Sequence, residues 1–522
     1  MSAAVAEQQP QTLDELLGEH WRSLEWRLCN LYWIVNKDGK AVRFEPNDEQ
    51  LDFIRNIWTR NLILKARQKG FSTLIQLLQL DQGLFNTHHV GATIAETLPN
   101  AGKLFKKIEF AQQRIPDALR ESLPIKTMAS RSAMEFEHGS SIYVGVSARG
   151  DTLNLLHVSE FGKICRRYPE RAEEIISGAF EAVPTDGCIV VESTAEGAAG
   201  PFYDLVMAAM RRQAEGAPET PLDWRLHFYP WFNSREYRLD PADVIVSAEQ
   251  HRYFDKVQAF WREKGTYGAD FTIDAAQRAW YVKKQETQKR LMKREYPSTI
   301  EEAFEQAIEG AVFGDEMTSV REAGRITTVP LDPAYPVNTF WDFGLGRRNP
   351  IWLHQRIGLQ NRWVKYFDDF GKGLGWWWRH IEEWRREHGE FQWGTHYLPH
   401  DADTEILGES VTTKRRILVE AGMRNEFVVP RIALKSTGID LMRAALPVDN
   451  WFDRVECAEG IKCLDGYQYE WNEKQGIWSR TPMPNWASHG ADAWMQYAQG
   501  YRDTGDVVAQ AKKHKARKKS WR

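Results

Sequence analysis

The residues with the most chemistry per position are Leu64-Lys65-Ala66-Arg67-Gln68-Lys69-Gly70-Phe71-Ser72-Thr73. The apolar run Asn61 to Leu64 ahead of them reads as a buried strand, and Leu74 to Leu80 behind them reads as a helix. A strand, a tight basic turn and a helix start make a phosphate cradle. Backbone N–H groups and the positive helix end face the anion. Gly70 lets the backbone approach a phosphate, and Ser72 or Thr73 places a hydroxyl on Mg²⁺. Phe71 stands where the common phosphate loop carries Lys, so Lys65, Arg67 and Lys69 are the available sources of charge. A plain basic turn between a core strand and a core helix fits the same residues.

Further along, Leu153 to Val158 reads as an apolar strand and runs into Ser159-Glu160. A nucleotide hydrolase needs an acid there to activate the attacking water, and Glu160 is the candidate general base. Ser159 takes the place of the metal-side acid. A helix-cap glutamate is the structural alternative. Arg149 lies in a small polar loop and can supply charge to a γ-phosphate. Ser193-Thr194-Ala195 ends another apolar strand, where Thr194 can sense that phosphate or merely cap the strand. Gln50, just ahead of the first strand, has an amide able to read an adenine edge; an ordinary exposed glutamine fits equally.

A second constellation is acidic. Asp342 lies near the end of the strand Val337 to Gly344, Asp401 follows the strand Gly394 to Pro399 with Asp403 two residues on, and Asp492 falls on a late helix. Acids converging in that order on one sheet edge hold two Mg²⁺ or Mn²⁺ ions for phosphodiester hydrolysis. Each acid taken singly also fits a cap or a surface charge.

The 522 residues suffice for two to four domains, and 42% hydrophobic content builds ordinary cores. Net charge is −4, so nucleic-acid contact must come from local basic patches. The 22 Trp serve cores or stack on bases. Five scattered Cys without a CxxC pair argue against a disulfide framework or structural zinc and for a reducing, intracellular setting. No apolar run reaches membrane-span length, and no signal-peptide core opens the chain.

These sites require an α/β chain. Alternating strands and helices across 60–230 predict a parallel sheet covered on both faces. The order β-β-β-α-β-α-β-α after residue 337 predicts a ribonuclease-H-like sheet. The expected division is a helix and hairpin over 1–44, a nucleotide-hydrolysing domain over 45–230, a helical join over 231–310, a nuclease domain over 311–500 and a basic tail over 501–522. The tail, Lys512 to Arg522, either neutralises DNA phosphates or is simply solvated.

Taken together, Lys65 to Thr73, Leu156-His157-Val158-Ser159-Glu160, Ser193-Thr194-Ala195 and Arg294-Glu295-Tyr296-Pro297-Ser298-Thr299 resemble the large terminase subunit of tailed bacteriophages. The likeness covers roughly 40–500. It implies a P-loop (RecA/ASCE-like) ATPase followed by a ribonuclease-H-like nuclease. ATP and Mg²⁺ would be bound through Gln50, Arg67, Lys69, Gly70, Ser72, Thr73, Ser159 and Thr194. Glu160 and Arg149 would serve hydrolysis, and Asp342, Asp401 and Asp492 would hold the nuclease metals, with Mn²⁺ able to substitute. The implied work is translocation of duplex DNA into procapsids and cutting of the concatemer in the host cytoplasm. Implied partners are a small terminase subunit, the portal ring and further copies in a ring of about five. A transposase-like strand-transfer enzyme using the same three acids, or a DNA-binding scaffold with decayed sites, are the rival readings.

Overall fold

The computed structural model describes residues 22–116, 132–148, 150–198, 200–304, 310–344, 348–406, 412–472 and 477–502, together with residues 18 and 475. Arg149, the basic tail and the first residues of the chain lie outside this range. The chain divides into two compact units, Met1–Gln306 and Ala307–Arg522.

The first unit is built on a seven-stranded sheet. Its strands are β1 (Arg60–Lys65), β2 (Val90–Ile94), β3 (Ala133–Glu135), β4 (Ser141–Gly145), β5 (Leu155–Ser159), β6 (Cys188–Ser193) and β7 (Arg225–Tyr229). Their order is β3-β4-β2-β5-β6-β1-β7, with every pair parallel except β3 with β4. All six residues of β1 are buried, as a central parallel strand requires. Leu62 and Leu64 join one core and Ile63 the other, so the sheet is covered on both faces. The helix α1 (Phe71–Phe85) follows β1 through Gly70, whose φ of 78° is left-handed and opens the turn. Helix α2 (Leu98–Gln112) starts on Thr97, whose hydroxyl accepts from the Asn100 N–H. One strand, β6, separates β1 from β5, which places the ends of all three side by side. This is the P-loop sheet of the additional-strand type.

The helix expected over 162–180 is broken. Helix α3 (Phe161–Arg167) stops at Tyr168, Pro169 starts a new turn, and 175–179 winds as a π-helix. Proline lacks the N–H that a continuous helix would need. The segment expected as a join falls in the first unit as far as Gln306. Helices α4 (Ala248–Lys264) and α5 (Ala275–Gln288) close around Trp231 in an aromatic core that includes Ala66 of the phosphate turn.

The second unit has its own seven-stranded sheet. Its strands are β8 (Ile326–Thr327), β9 (Val337–Trp341), β10 (Ile351–Ile357), β11 (Gln360–Phe367), β12 (Trp393–Leu398), β13 (Glu426–Val428) and β14 (Asn450–Asp453). The order is β8-β14-β11-β10-β9-β12-β13. Strands β9, β10 and β11 pair antiparallel, and β9-β12-β13 run parallel. This is the ribonuclease-H-like sheet, extended at β11 by two short strands. Helices α6 (Leu374–Glu387), α7 (Lys435–Ala445) and α8 (Ser488–Gly500) cover it. Phe340 and Trp352 enter one core, Val337 and Trp341 the other.

Candidate functional sites

The first site forms where β1, β5 and β6 end together. Its centre is Glu192, a fully buried carboxylate that the motif reading passed over. Parallel pairing sets Glu192 level with Ser159 on one side and Ile63 on the other. Its Oε1 accepts from the Ser72 hydroxyl, from Ser159 Oγ at 3.1 Å, and lies 3.2 Å from His157 Nε2. Lys65 Nζ is 3.5 Å from its Oε2. Burial alone would raise the Glu192 pKa, but Lys65, His157 and Ser72 outweigh it and hold the group well below the usual carboxylate range. Burial works against the charge on Lys65 as well, yet Glu192 and then Glu160 keep its pKa above the ordinary lysine value. The pair is therefore ionised.

Glu160 occupies the corner between β5 and α3 with a left-handed φ of 57°. That conformation is uncommon away from glycine and turns the carboxylate toward the strand ends. Its Oε1 lies 3.9 Å from Lys65 Nζ and its Oε2 2.9 Å from Lys163 Nζ. Ser193 Oγ accepts the Gly162 N–H at 3.0 Å, which ties the start of α3 to the Ser-Thr-Ala segment. Next to it, the buried Thr194 hydroxyl has no hydrogen-bond partner among the described residues.

The two basic residues expected to replace the P-loop lysine are held elsewhere. Lys69 is buried, with its amine 2.5 Å from Glu49 and in reach of Ser234 Oγ at 2.9 Å and Pro230 O at 3.0 Å. Arg67 pairs with Glu295. Lys65, from the strand end itself, is the one of the three whose charge reaches Glu160 and Glu192. Gln50 is also committed. Its Oε1 accepts the Asn47 N–H at 3.0 Å and its Nε2 donates to Gly70 O at 3.0 Å. Both ends of the amide hold the loop, and each keeps one further hydrogen-bonding position. Thr73 Oγ1 accepts from Lys107 at 2.9 Å. A cavity of about 750 Å³ adjoins the turn, lined in part by Gln50, Gly70, Thr73, Asn233 and Arg235. That is ample for a nucleoside.

Phe71 is core. It is 1% exposed, stacks on Tyr229 at 4.8 Å and meets Phe53 edge-on at 5.9 Å. Phe71→Lys is therefore expected to destabilise the chain by about 3 kcal/mol or more, without raising ATP turnover. Thermal unfolding and an ATPase assay on the same preparation check this.

Burial lowers the Lys69 pKa to about 8, against the pull of Glu49. The unfolded chain thus holds more protons than the folded one between about pH 8 and pH 10.5. Stability contributed at this position is least below that window and rises across it. The gain is on the order of 3 kcal/mol at about 1.36 kcal/mol per unit. Denaturant titrations from pH 7.5 upward should show it in the native chain and not in the Glu49→Gln/Lys69→Met variant.

The second site lies at the opening end of α8, in the second unit. Asp342 Oδ2 is 2.8 Å from His489 Nδ1. That bond, working against burial, raises the His489 pKa and favours the imidazolium. Asp492 is pushed up to about 6, first by burial and then by the Asp342 charge, with Lys435 at 3.0 Å and His489 pulling the other way. Asp492 Oδ1 is buried without a hydrogen-bond partner among the described residues. Asp368, at the end of β11, is raised by burial and interacts with Arg348 and His489. His489 and Asp368 were missed from sequence. The signal for the histidine was its place one helical turn before Asp492.

Asp401 follows the neighbouring parallel strand β12 and makes an ion pair of its own. Its Oδ2 lies 2.5 Å from Lys414 Nζ at the start of the next helix, and Asp403 faces Arg415 at 3.7 Å. Among the described residues no group of three His, Cys, Asp or Glu side chains is placed to hold a metal. Of the three aspartates expected from sequence, Asp342 and Asp492 interact with each other and with His489, and Asp401 is paired with a lysine. The Asp342–Asp492 pair still fits a divalent cation. Two close carboxylates, one with an orphaned buried oxygen, are what a cation would relieve. In the first site, the Ser72 and Ser159 hydroxyls gathered on Glu192 fit Mg²⁺ in the same sense.

No protein-family model matches the chain, and no curated protein matches it. Solved structures do match. The large terminase of bacteriophage HK97 is similar at 12% identity over 93% of this chain and 99% of that one, with a TM-score of 0.44. The large terminase of a thermophilic bacteriophage is similar at 12% identity over 87% of this chain and 99% of that one, with a TM-score of 0.29. The nuclease domain of the P22 large terminase is similar at 13% identity over 33% of this chain and 84% of that one, with a TM-score of 0.25.

Proposed function

We propose that this chain is a large terminase subunit, an ATP-driven DNA-packaging motor carrying its own endonuclease. The observation that carries the ATPase reading is the meeting of Lys65, Glu160, Glu192 and Ser72 at three adjacent strand ends, with a nucleoside-sized cavity lined by Gly70 and Thr73 of the same turn. Backbone N–H groups of the turn and the start of α1 receive the phosphates. Lys65 supplies the charge on the γ-phosphate that Phe71 does not. Glu160 takes the proton from the attacking water as its oxygen bonds to the γ-phosphorus and the bond to ADP breaks. Glu192 orients Lys65 and the Ser72 hydroxyl. Mg²⁺, when bound, neutralises phosphate charge, and Ser72 with Ser159 and Glu192 would hold it. Thr194 would report the state of the γ-phosphate to α3 through the neighbouring Ser193–Gly162 contact.

In the second unit, Asp342 and Asp492 would hold the nuclease metal, which when bound activates water against a phosphodiester. His489 holds the Asp342 carboxylate and can deliver a proton to the leaving oxygen. Partners in this reading are duplex DNA, a small terminase subunit, the portal and further copies of the chain in a ring in the host cytoplasm. Among the described residues no helix is long and apolar enough to cross a membrane.

The test is ATP turnover with and without linear duplex DNA, and plasmid cutting with Mn²⁺ against an EDTA control. Stimulated turnover with Mn²⁺-dependent cutting is expected. A chain that cuts but never hydrolyses ATP would favour a strand-transfer enzyme, and one that does neither would be a scaffold.

A further inference from the structure

In the second unit a cavity of about 350 Å³ opens among Trp378 and Arg379 of α6, Trp393 and His396 of β12, and the turn at Gly422–Asn425. It lies toward the N-terminal ends of β12 and β13. Asp342 and Asp401 follow the C-terminal ends of β9 and β12, so this place is distinct from the acid cluster.

Its wall is aromatic. Trp378 and Trp393 meet at 6.0 Å, and the His396 ring stands edge-on to both, at 5.0 and 5.3 Å. His396 is wholly buried, yet only Nδ1 is bonded, at 2.8 Å to Thr339 Oγ1. Its Nε2 has no hydrogen-bond partner among the described residues. Thr339 Oγ1 already accepts from Trp341 Nε1 at 2.6 Å, so the threonine proton is free to go to Nδ1. That assigns the ring proton to Nε2. Burial lowers the His396 pKa to about 3, so the ring is neutral and Nε2 is a buried donor lacking an acceptor.

The rim is cationic. Arg379 and Arg386 are exposed on one face of α6, two turns apart, and neither has an acidic partner among the described residues. Arg424 completes the rim, donating to Val419 O at 3.0 Å and Met423 O at 2.7 Å. Glu382, the one acid lining the cavity, is engaged by the Trp393 indole and by Arg385 at 3.1 Å. An aromatic wall, one buried donor and unpaired guanidinium groups suit a flat ring with hydrogen-bond acceptors joined to a phosphate.

We propose that this cavity binds one nucleotide unit, with its base against Trp378 and Trp393, an acceptor of the base on His396 Nε2 and its phosphate between Arg379 and Arg386. The unit comes either from a single DNA strand or from a free mononucleotide. Neither candidate catalytic site is needed for this binding.

The test uses the full chain in EDTA and the Arg379→Ala/Arg386→Ala variant, whose changes are exposed and leave the fold intact by circular dichroism. The probe is a labelled, 5′-phosphorylated single-stranded oligothymidylate of about ten nucleotides, read by anisotropy. The variant should bind it tenfold or more weakly. The slope of log affinity against log salt should fall by about 0.7, from the loss of one phosphate contact. Displacement of the oligomer by millimolar thymidine monophosphate identifies the free nucleotide as a ligand. Weakened oligomer binding without such displacement identifies the strand. Unchanged affinity and slope in the variant would overturn the proposal, as would an abasic oligomer that binds as tightly as the thymidylate.

Discussion

Lys65→Ala is expected to lower ATP turnover by at least about 10²-fold, the usual effect of removing one preorganised charge from a transition state. The expectation rests on geometry. Lys65 Nζ lies 3.5 Å from Glu192 and 3.9 Å from Glu160, whereas Lys69 and Arg67 are spent on Glu49 and Glu295. The variant should also unfold at a lower temperature, because Glu192 loses one partner of a buried pair. Turnover is therefore compared well below both midpoints. The control is Glu49→Gln/Lys69→Met, which removes the other buried lysine together with its acid. It should keep turnover within about threefold, a difference below 1 kcal/mol in barrier. A reversed result, with Lys69 essential and Lys65 dispensable, would return the phosphate charge to the turn.

Asp492→Asn should separate function from stability in the opposite sense. A metal contributes several kcal/mol to such a transition state, so cutting should fall at least about 10²-fold. Stability should hold or rise. The native carboxyl is already held near 6 by burial and by Asp342, and an amide of the same shape removes that repulsion. Plasmid cleavage with Mn²⁺ and thermal unfolding measure the two effects. Asp401→Asn is expected to cost less, since Asp401 is engaged by Lys414.

The elements that carry these residues were legible because their patterns are strong. The apolar run into the basic turn, the strand ending at Ser159-Glu160 and the strand ending at Asp342 read correctly to within two or three residues. Long strands buried on both faces announce themselves by unbroken apolar runs. Choosing among Lys65, Arg67 and Lys69 was another matter. Three cations in five residues look alike until Glu49 and Glu295, from distant parts of the chain, take two of them. Glu192 stood in view as an acid inside an apolar strand, an anomaly that a buried charge with partners resolves. Asp401 reads as a strand-end acid, and its ion pair with Lys414 on the following helix was not legible from that placement. The short strands β8 and β14 escaped notice, since two to four residues carry no usable period.

The most direct test crosses two variants with two assays. Glu160→Gln and Asp342→Asn are each measured for DNA-stimulated ATP hydrolysis and for Mn²⁺-dependent plasmid cutting. Two separate active sites on one chain predict that Glu160→Gln loses hydrolysis and still cuts, while Asp342→Asn loses cutting and still hydrolyses. Full hydrolysis by Glu160→Gln, or full cutting by Asp342→Asn, would contradict it.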